Sequence, residues 1–335
     1  MKEIRVALLG YGGIARSHML GYELIEKAGF PIKRVALCDI DPTQFTKSTT
    51  INIASNEPSL EGLALYTDLG EMLAKEEIDT VDVCLPSYLH KEYTIRLLRA
   101  GKNVQCEKPM ALTVSDCEEM MQVEKESGKK LMIGMCLRFY NPYLALKELI
   151  DSGKYGKVLY ATMHRLSALP QWSADSWYLN YDLSGGCLVD LGIHDLDMAR
   201  YLFGDPARVS AASVNEKPCE MWSESRLVYA DGKVITCMAS WLEKTEFTVT
   251  LRMTLEKATV VMEGGKVTVY PLGEESYPLE FEENNYMAEE SKFFAETVLN
   301  GKENLKNPPV EAMRTIALIE RLRESAKQGG IVLDL

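Results

Sequence analysis

The chain has 335 residues, of which 46% are apolar and 26% charged, and a formal net charge of −12. That length holds one large or two ordinary domains, and the balance of apolar to charged residues excludes disorder, collagen and coiled coil. The acidic surplus, 49 Asp and Glu against 37 Lys and Arg, argues against nucleic acid or an anionic membrane as partner, since phosphate contacts need clustered cations.

Residues 4–9 read as an apolar strand, and Gly10-Tyr11-Gly12-Gly13-Ile14-Ala15 follows it at the start of a helical stretch. The string fits G-x-G-x-x-G/A. Its first glycine permits a tight turn, its second lets a pyrophosphate approach the backbone, and its small last residue lets helix pack on strand. A second apolar run, 34–38, ends at Asp39. Its carboxylate is suited to accept the ribose hydroxyls of a dinucleotide and to repel a 2′-phosphate, which predicts NAD in preference to NADP; the other reading is a turn or cap residue. Further apolar runs at 80–85, 103–106 and 130–135 alternate with helical stretches such as 88–100 and 114–127. Strands alternating with helices predict βαβ units and a parallel sheet over 1–135. Cys106-Glu107-Lys108-Pro109 closes the 103–106 run, so Lys108 is expected beyond the carboxyl end of that sheet.

From residue 157 the period changes to strict alternation, at 158–167, 226–230, 234–241, 247–254, 258–262 and 267–270. Asp231-Gly232 and Gly264-Gly265 supply hairpin turns between strand pairs. Residues 136–335 therefore read as an α+β domain built on a large open, mostly antiparallel sheet. Two helices, 283–299 and 309–326, belong to it. Residues 331–333 read as a terminal strand returning to the first domain. Asp190 and His194 are four apart in a helical pattern and share a face; alone, such a pair is more readily structural than catalytic. The N-terminal MKEIRVALLG has no signal-peptide pattern, and no charge-free apolar run reaches the ~18 residues of a spanning helix. The eight cysteines form no C-x-x-C pair and share no spacing with the four histidines. They read as buried free thiols; no metal is expected, and the cytoplasm is the expected compartment.

Several of these strings resemble the Gfo/Idh/MocA oxidoreductase family, which includes glucose–fructose oxidoreductase and inositol dehydrogenases. They are Gly10–Ala15, Asp39, Pro86-Ser87-Tyr88-Leu89-His90, and Ala100-Gly101-Lys102-Asn103-Val104-Gln105-Cys106-Glu107-Lys108-Pro109. Arg138-Phe139-Tyr140-Asn141-Pro142, Gly153-Lys154-Tyr155-Gly156, and 184–197 with its Ser184-Gly185-Gly186-Cys187 start extend the likeness over essentially the whole chain. Cys187 stands where a third glycine is usual. The resemblance implies an N-terminal Rossmann domain. It implies NAD contacts from Gly10, Gly12, Gly13, Ile14, Asp39, Leu85, Pro86, His90, Glu107 and Lys108. His90 also reads as a helix-packing residue, and His18 as structural. The resemblance further implies that Lys108, Asp190 and His194 form the catalytic group. His194 would take a hydroxyl proton, Lys108 hold the same oxygen and Asp190 orient His194 or the substrate; the first two roles are exchangeable. Arg138, Asn141 and Trp172 join them as expected substrate contacts, Trp172 in a two-tryptophan loop suited to stacking on a sugar ring or to anchoring.

The expected activity is NAD-dependent hydride transfer to or from a sugar, polyol or inositol-like ring, in a homodimer or homotetramer. Two other readings stay open: an enzyme that keeps its NAD and uses a transient oxidation to eliminate or cleave, and a sugar or NAD sensor without catalysis.

Overall fold

Short apolar strands separated by amphipathic helices build the first half of the chain. A computed structural model describes residues 3–47, 57–170, 174–216 and 219–335. The first of two units, Met1–Cys136 with Asn285–Met313, holds β1 (Ile4–Leu9), β2 (Ile32–Cys38), β3 (Ala64–Tyr66), β4 (Thr80–Val83), β5 (Asn103–Glu107) and β6 (Leu131–Gly134). All run parallel, in the order β3-β2-β1-β4-β5-β6. Helices α1 (Gly13–Lys27), α2 (Leu69–Lys75), α3 (His90–Arg99) and α4 (Val114–Ser127) connect them. Leu8, Val81, Val83, Val104 and Ile133 are wholly buried, as strands covered on both faces require. Start signals are local: Asp68 accepts the Glu71 N–H at 2.7 Å to begin α2, and Thr113 caps α4 through the Asp116 N–H. Strand order reverses between β1 and β4, which opens a crevice beyond their carboxyl ends.

The second unit, Leu137–Asn284 with Arg314–Leu335, begins with α5 (Asn141–Asp151), β7 (Val158–Leu166), α6 (Tyr181–Ser184) and α7 (Ile193–Phe203). It continues through β8 (Arg208–Glu216), β9 (Cys219–Val228), β10 (Val234–Ser240), β11 (Thr248–Leu255), β12 (Ala258–Glu263), β13 (Lys266–Pro271) and β14 (Tyr277–Pro278). The helices α8 (Tyr286–Asn300) and α9 (Pro309–Lys327) and the strand β15 (Leu333–Asp334) complete the chain. Nine strands make one sheet, β14-β13-β12-β11-β7-β10-β9-β8-β15, antiparallel except where β7 meets β10. Asp231-Gly232 and Gly264-Gly265 turn β9 into β10 and β12 into β13. Ala161 and Met163 of β7 face the interior. Tyr160, Val214 and Tyr270, each close to half exposed, share the opposite face by register.

Two expectations are corrected. The terminal strand does not return to the first domain: Leu333 pairs with Val209 and Asp334 with Arg208, at the edge of the nine-stranded sheet. Helix α8, expected in the second domain, packs in the first unit, with Met287, Ala288, Phe294 and Ala295 buried. Apolar periodicity marks a face to be covered without naming what covers it. Gly21 of α1 admits the approach, since a Cβ there would come within 3.0 Å of the Ala288 nitrogen.

Glu290 on the same helix is fully buried, and neither carboxyl oxygen has a hydrogen-bond partner. Burial, with the charges of Glu107 and Asp82, pushes its pKa well above the ordinary 4.5. Folding above pH 4.5 must therefore take up a proton, and the cost grows with pH until the raised pKa is reached. Glu290→Met removes this cost. Its thermal midpoint is expected to exceed that of the parent at mildly alkaline pH, with the gain shrinking as pH falls toward 4.5. Calorimetry across that range checks this; an equal or lower midpoint at alkaline pH would refute it.

Candidate active site

The glycine loop takes its shape from close approach. Gly10 sits at φ +87°, and a Cβ there would lie 2.7 Å from the Cys84 carbonyl oxygen. Its N–H donates to the Cys38 carbonyl at 2.8 Å, joining the loop to the end of β2. Gly12 precedes α1 with no side-chain cap, and a Cβ on it would meet nothing within 4 Å. Gly13 opens the helix, and Ile14 packs against the core below. The helix N-terminus thus presents uncapped N–H groups to open space, a fit for a pyrophosphate. Asp39 Oδ2 accepts the Tyr11 N–H at 2.7 Å and Oδ1 the Asp41 N–H at 2.8 Å. Each oxygen keeps a lone pair for a ribose hydroxyl, so the residues present fit a dinucleotide.

Arg16, unremarked in the sequence, supports that loop. Its guanidinium is almost wholly buried and donates to the carbonyls of Tyr11, Gly12, Gln44 and Lys47 at 2.7–3.2 Å. It also pairs with Glu57 at 3.0 Å and lies 4.4 Å over the Tyr11 ring. An arginine between Ala15 and Met19 on the buried face of α1 was the available signal.

Leu85 and Pro86 follow β4 and are partly exposed. His90 is not: its ring is 1% exposed, with Nδ1 2.6 Å from the Pro109 oxygen and Nε2 2.8 Å from the Leu85 oxygen. Burial pushes its pKa down. The ring is a tie between two loops and not the cofactor contact expected of it. Glu107 is corrected likewise. It is 5% exposed, with Oε1 2.7 Å from His18 Nε2 and Oε2 accepting the Lys108 N–H at 3.1 Å, so both oxygens are committed to protein groups. Lys108, joined to Pro109 by a cis peptide, remains partly exposed.

In the second unit, Leu188–Gly192 forms a π-helical turn that runs into α7. Such turns recur at functional sites. From 184 to 200 every residue is buried except Asp190, Leu191 and His194. The segment is held from three sides. Arg165 of β7 forms a two-bond pair with Asp195 at 3.1 and 3.0 Å. Arg138 does the same with Asp197, both bonds at 2.8 Å. Glu220 of β9 accepts the Leu188 N–H at 3.0 Å; Arg323 of α9 pairs with Glu220 at 3.7 Å and donates to the Gly185 carbonyl. Burial pushes the Glu220 pKa up, against the pull of Arg323 and the Leu188 N–H.

The substrate contacts expected around this segment fare differently. Arg138 is 4% exposed and ion-paired, so it braces α7 and does not edge a substrate. The Asn141 amide donates to the Glu282 carbonyl at 2.6 Å, and its N–H to Asn284, fastening the start of α5. Trp172 lies outside the described residues. Beyond it, Trp177 stacks on Tyr178 with centroids 4.0 Å apart, and Tyr178 meets the edge of buried Trp241. All eight cysteines are buried and free of disulfides. Among the described residues no helix is long and apolar enough to cross a membrane.

Two family models match this chain. One, described as oxidoreductase family, NAD-binding Rossmann fold, covers residues 4–135; the other, the GFO/IDH/MocA C-terminal domain, covers 143–261. D-glucoside 3-dehydrogenase of Escherichia coli is 31% identical over 207 residues, 61% of this chain and 55% of that protein. The 2,7-anhydro-N-acetylneuraminate hydratase of Mediterraneibacter gnavus is 39% identical over 138 residues, 41% of this chain and 37% of that protein. The chain thus spans about half or less of the length of these relatives. Among solved structures, aldose-aldose oxidoreductase from Caulobacter crescentus, complexed with glycerol, superposes over 100% of both chains with a TM-score of 0.85 at 26% identity.

Proposed function

The chain belongs to the Gfo/Idh/MocA oxidoreductase family, and on that premise we propose that it transfers hydride between NAD and a hydroxyl or carbonyl of a sugar, polyol or inositol-like substrate. The observation that carries this reading is the exposure pattern of 184–200, where a carboxylate and an imidazole are the only polar side chains left partly open. A neutral imidazole is the natural acceptor for the proton of an alcohol that is losing hydride. His194 takes that proton in the oxidative direction, Asp190 orients the ring or the substrate, and Lys108 donates to the reacting oxygen. NAD, when bound, supplies the hydride acceptor. The loop from Gly10 to Gly13 would hold its pyrophosphate, and Asp39 its adenosine ribose.

The exposed Tyr160, Val214 and Tyr270 on one face of the nine-stranded sheet support a homodimer or homotetramer, because large apolar side chains left exposed on a sheet face suit association. Eight unpaired thiols suit a reducing compartment, and the cytoplasm is the proposed location.

A panel of polyols and sugars incubated with NAD tests the reading. NADH is expected to accumulate over many turnovers with at least one of them. Substrate consumed without NADH appearing would replace net oxidation by chemistry on a retained cofactor. Under the same assay Asp39→Ser is expected to weaken NAD and raise relative use of NADP, since it deletes both the ribose acceptor and the repulsion of a 2′-phosphate. Equal loss with both cofactors would remove Asp39 from the adenosine end.

A further inference from the structure

Beneath the turn that carries Lys108 lies a buried charged cluster with no part in the reading above. His18 of α1 is fully buried, its Nδ1 2.7 Å from Asp82 Oδ2 on β4 and its Nε2 2.7 Å from Glu107 Oε1 at the end of β5. Carboxylates in such a pair offer only acceptors, so both ring nitrogens carry hydrogen and the ring is an imidazolium. Burial works against that charge, but Asp82 and Glu107 outweigh it and raise the His18 pKa well above its ordinary value. The Tyr22 hydroxyl adds a bond to Asp82 Oδ2 at 3.0 Å, and the Cys84 thiol donates to its other oxygen at 3.7 Å. Glu290 approaches the cluster from α8, and burial together with the charges of Glu107 and Asp82 raises its pKa. The geometry of β6 accommodates the arrangement: at Gly134 a Cβ would stand 2.9 Å from Glu107 Oε1.

Glu107 connects this cluster to the turn, because its second oxygen accepts the Lys108 N–H at 3.1 Å. On the other side of the turn, His90 meets the Pro109 carbonyl at 2.6 Å. Two buried histidines, from α1 and α3, thus grip the backbone on either side of the lysine. We propose that His18 is a positioning residue for Lys108, acting through Glu107. The role of Lys108 itself rests on the proposed function; the grip on its backbone does not. Without the Nε2–H and the positive charge of His18, the Glu107 carboxylate becomes an uncompensated buried charge. It then turns away toward solvent, and the acceptor for the Lys108 N–H is lost. A small displacement of a group that holds the reacting oxygen is costly, on the order of 10²-fold for 1 Å.

The test compares His18→Gln with the parent enzyme. A glutamine amide does not bridge two carboxylates with two donors in line. Turnover is expected to fall by about 10–10²-fold while Kd for NAD stays near that of the parent. Hydrogen exchange at the Lys108 amide, which needs no turnover, is expected to speed up. Should His18→Gln not fold, Glu107→Met deletes the acceptor directly and should give both effects, while Glu107→Gln keeps an acceptor oxygen and should largely restore both. Unchanged Lys108 exchange in His18→Gln or Glu107→Met, or a Gln variant no better than Met, would overturn the proposal. An enzyme with no NAD-linked turnover on any substrate would sink the functional reading alone, since the exchange measurement would still decide the role of His18.

Discussion

Replacing His194 by Asn, or Lys108 by Met, is expected to lower turnover by about 10²–10⁴-fold, the usual contribution of a positioned acid–base group. NAD binding should stay near that of the parent, because the cofactor is proposed to be held by the glycine loop and Asp39. Asparagine keeps a polar side chain of similar reach, so a loss in His194→Asn reports proton acceptance and not packing. The limb of the pH–rate profile that requires a neutral base should move or vanish in that variant. Equilibrium NAD titration and steady-state rates across pH make the measurement. His194→Asn with parental turnover and an unmoved limb would make His194 a helix-packing residue and leave Lys108 or a water as the base.

The elements legible in the sequence are those whose pattern is local. Strands β1, β4, β5 and β6 are short apolar runs followed by amphipathic helices, and the glycine fingerprint with Asp39 needs only spacing to be seen. Strand β3 escapes because it is only three residues long at a sheet edge, and the apolar run Leu63–Tyr66 is too short to announce a strand. Strand β8 escapes for a related reason. Its Ser210, Ala212 and Ser213 offer little contrast between faces, although it pairs along nearly its whole length with β9. The π-helical turn is hidden because a spacing of four suits both helix types. Lys108, Asp190 and His194 could be singled out from motif likeness, whereas what braces them could not. Arg138 and Asp197 are 59 positions apart, and His18 and Glu107 are 89 apart. Nothing local distinguishes a charged side chain buried against a distant partner from one at a ligand's edge, so sequence alone reads both Arg138 and Glu107 as ligand contacts.

Asp195→Ala is expected to destabilise the second unit by about 3–5 kcal/mol, far more than an ordinary surface change. Arg165 and Asp195 are both buried and make two bonds to one another, and the substitution removes both bonds and the carboxylate charge beside the buried guanidinium. Tyr143, also buried, lies near both groups and offers a hydroxyl but no charge. Removing both charges is a different perturbation from removing one. The pair Arg165→Met with Asp195→Leu replaces two desolvated ions by apolar side chains, and such exchanges are often neutral or stabilising. The double variant should therefore recover most of the stability that Asp195→Ala loses, and denaturant melts of the parent, the single and the double variants read this directly. His194 adjoins Asp195 in sequence, so the refolded double variant also separates anchoring from mere stability. If the bidentate pair fixes the first turn of α7, turnover stays low in the double variant although its melt is restored. A loss below about 1 kcal/mol in Asp195→Ala would mean that water reaches Arg165 and solvates it. The pair would then no longer explain why α7 holds its place against the sheet.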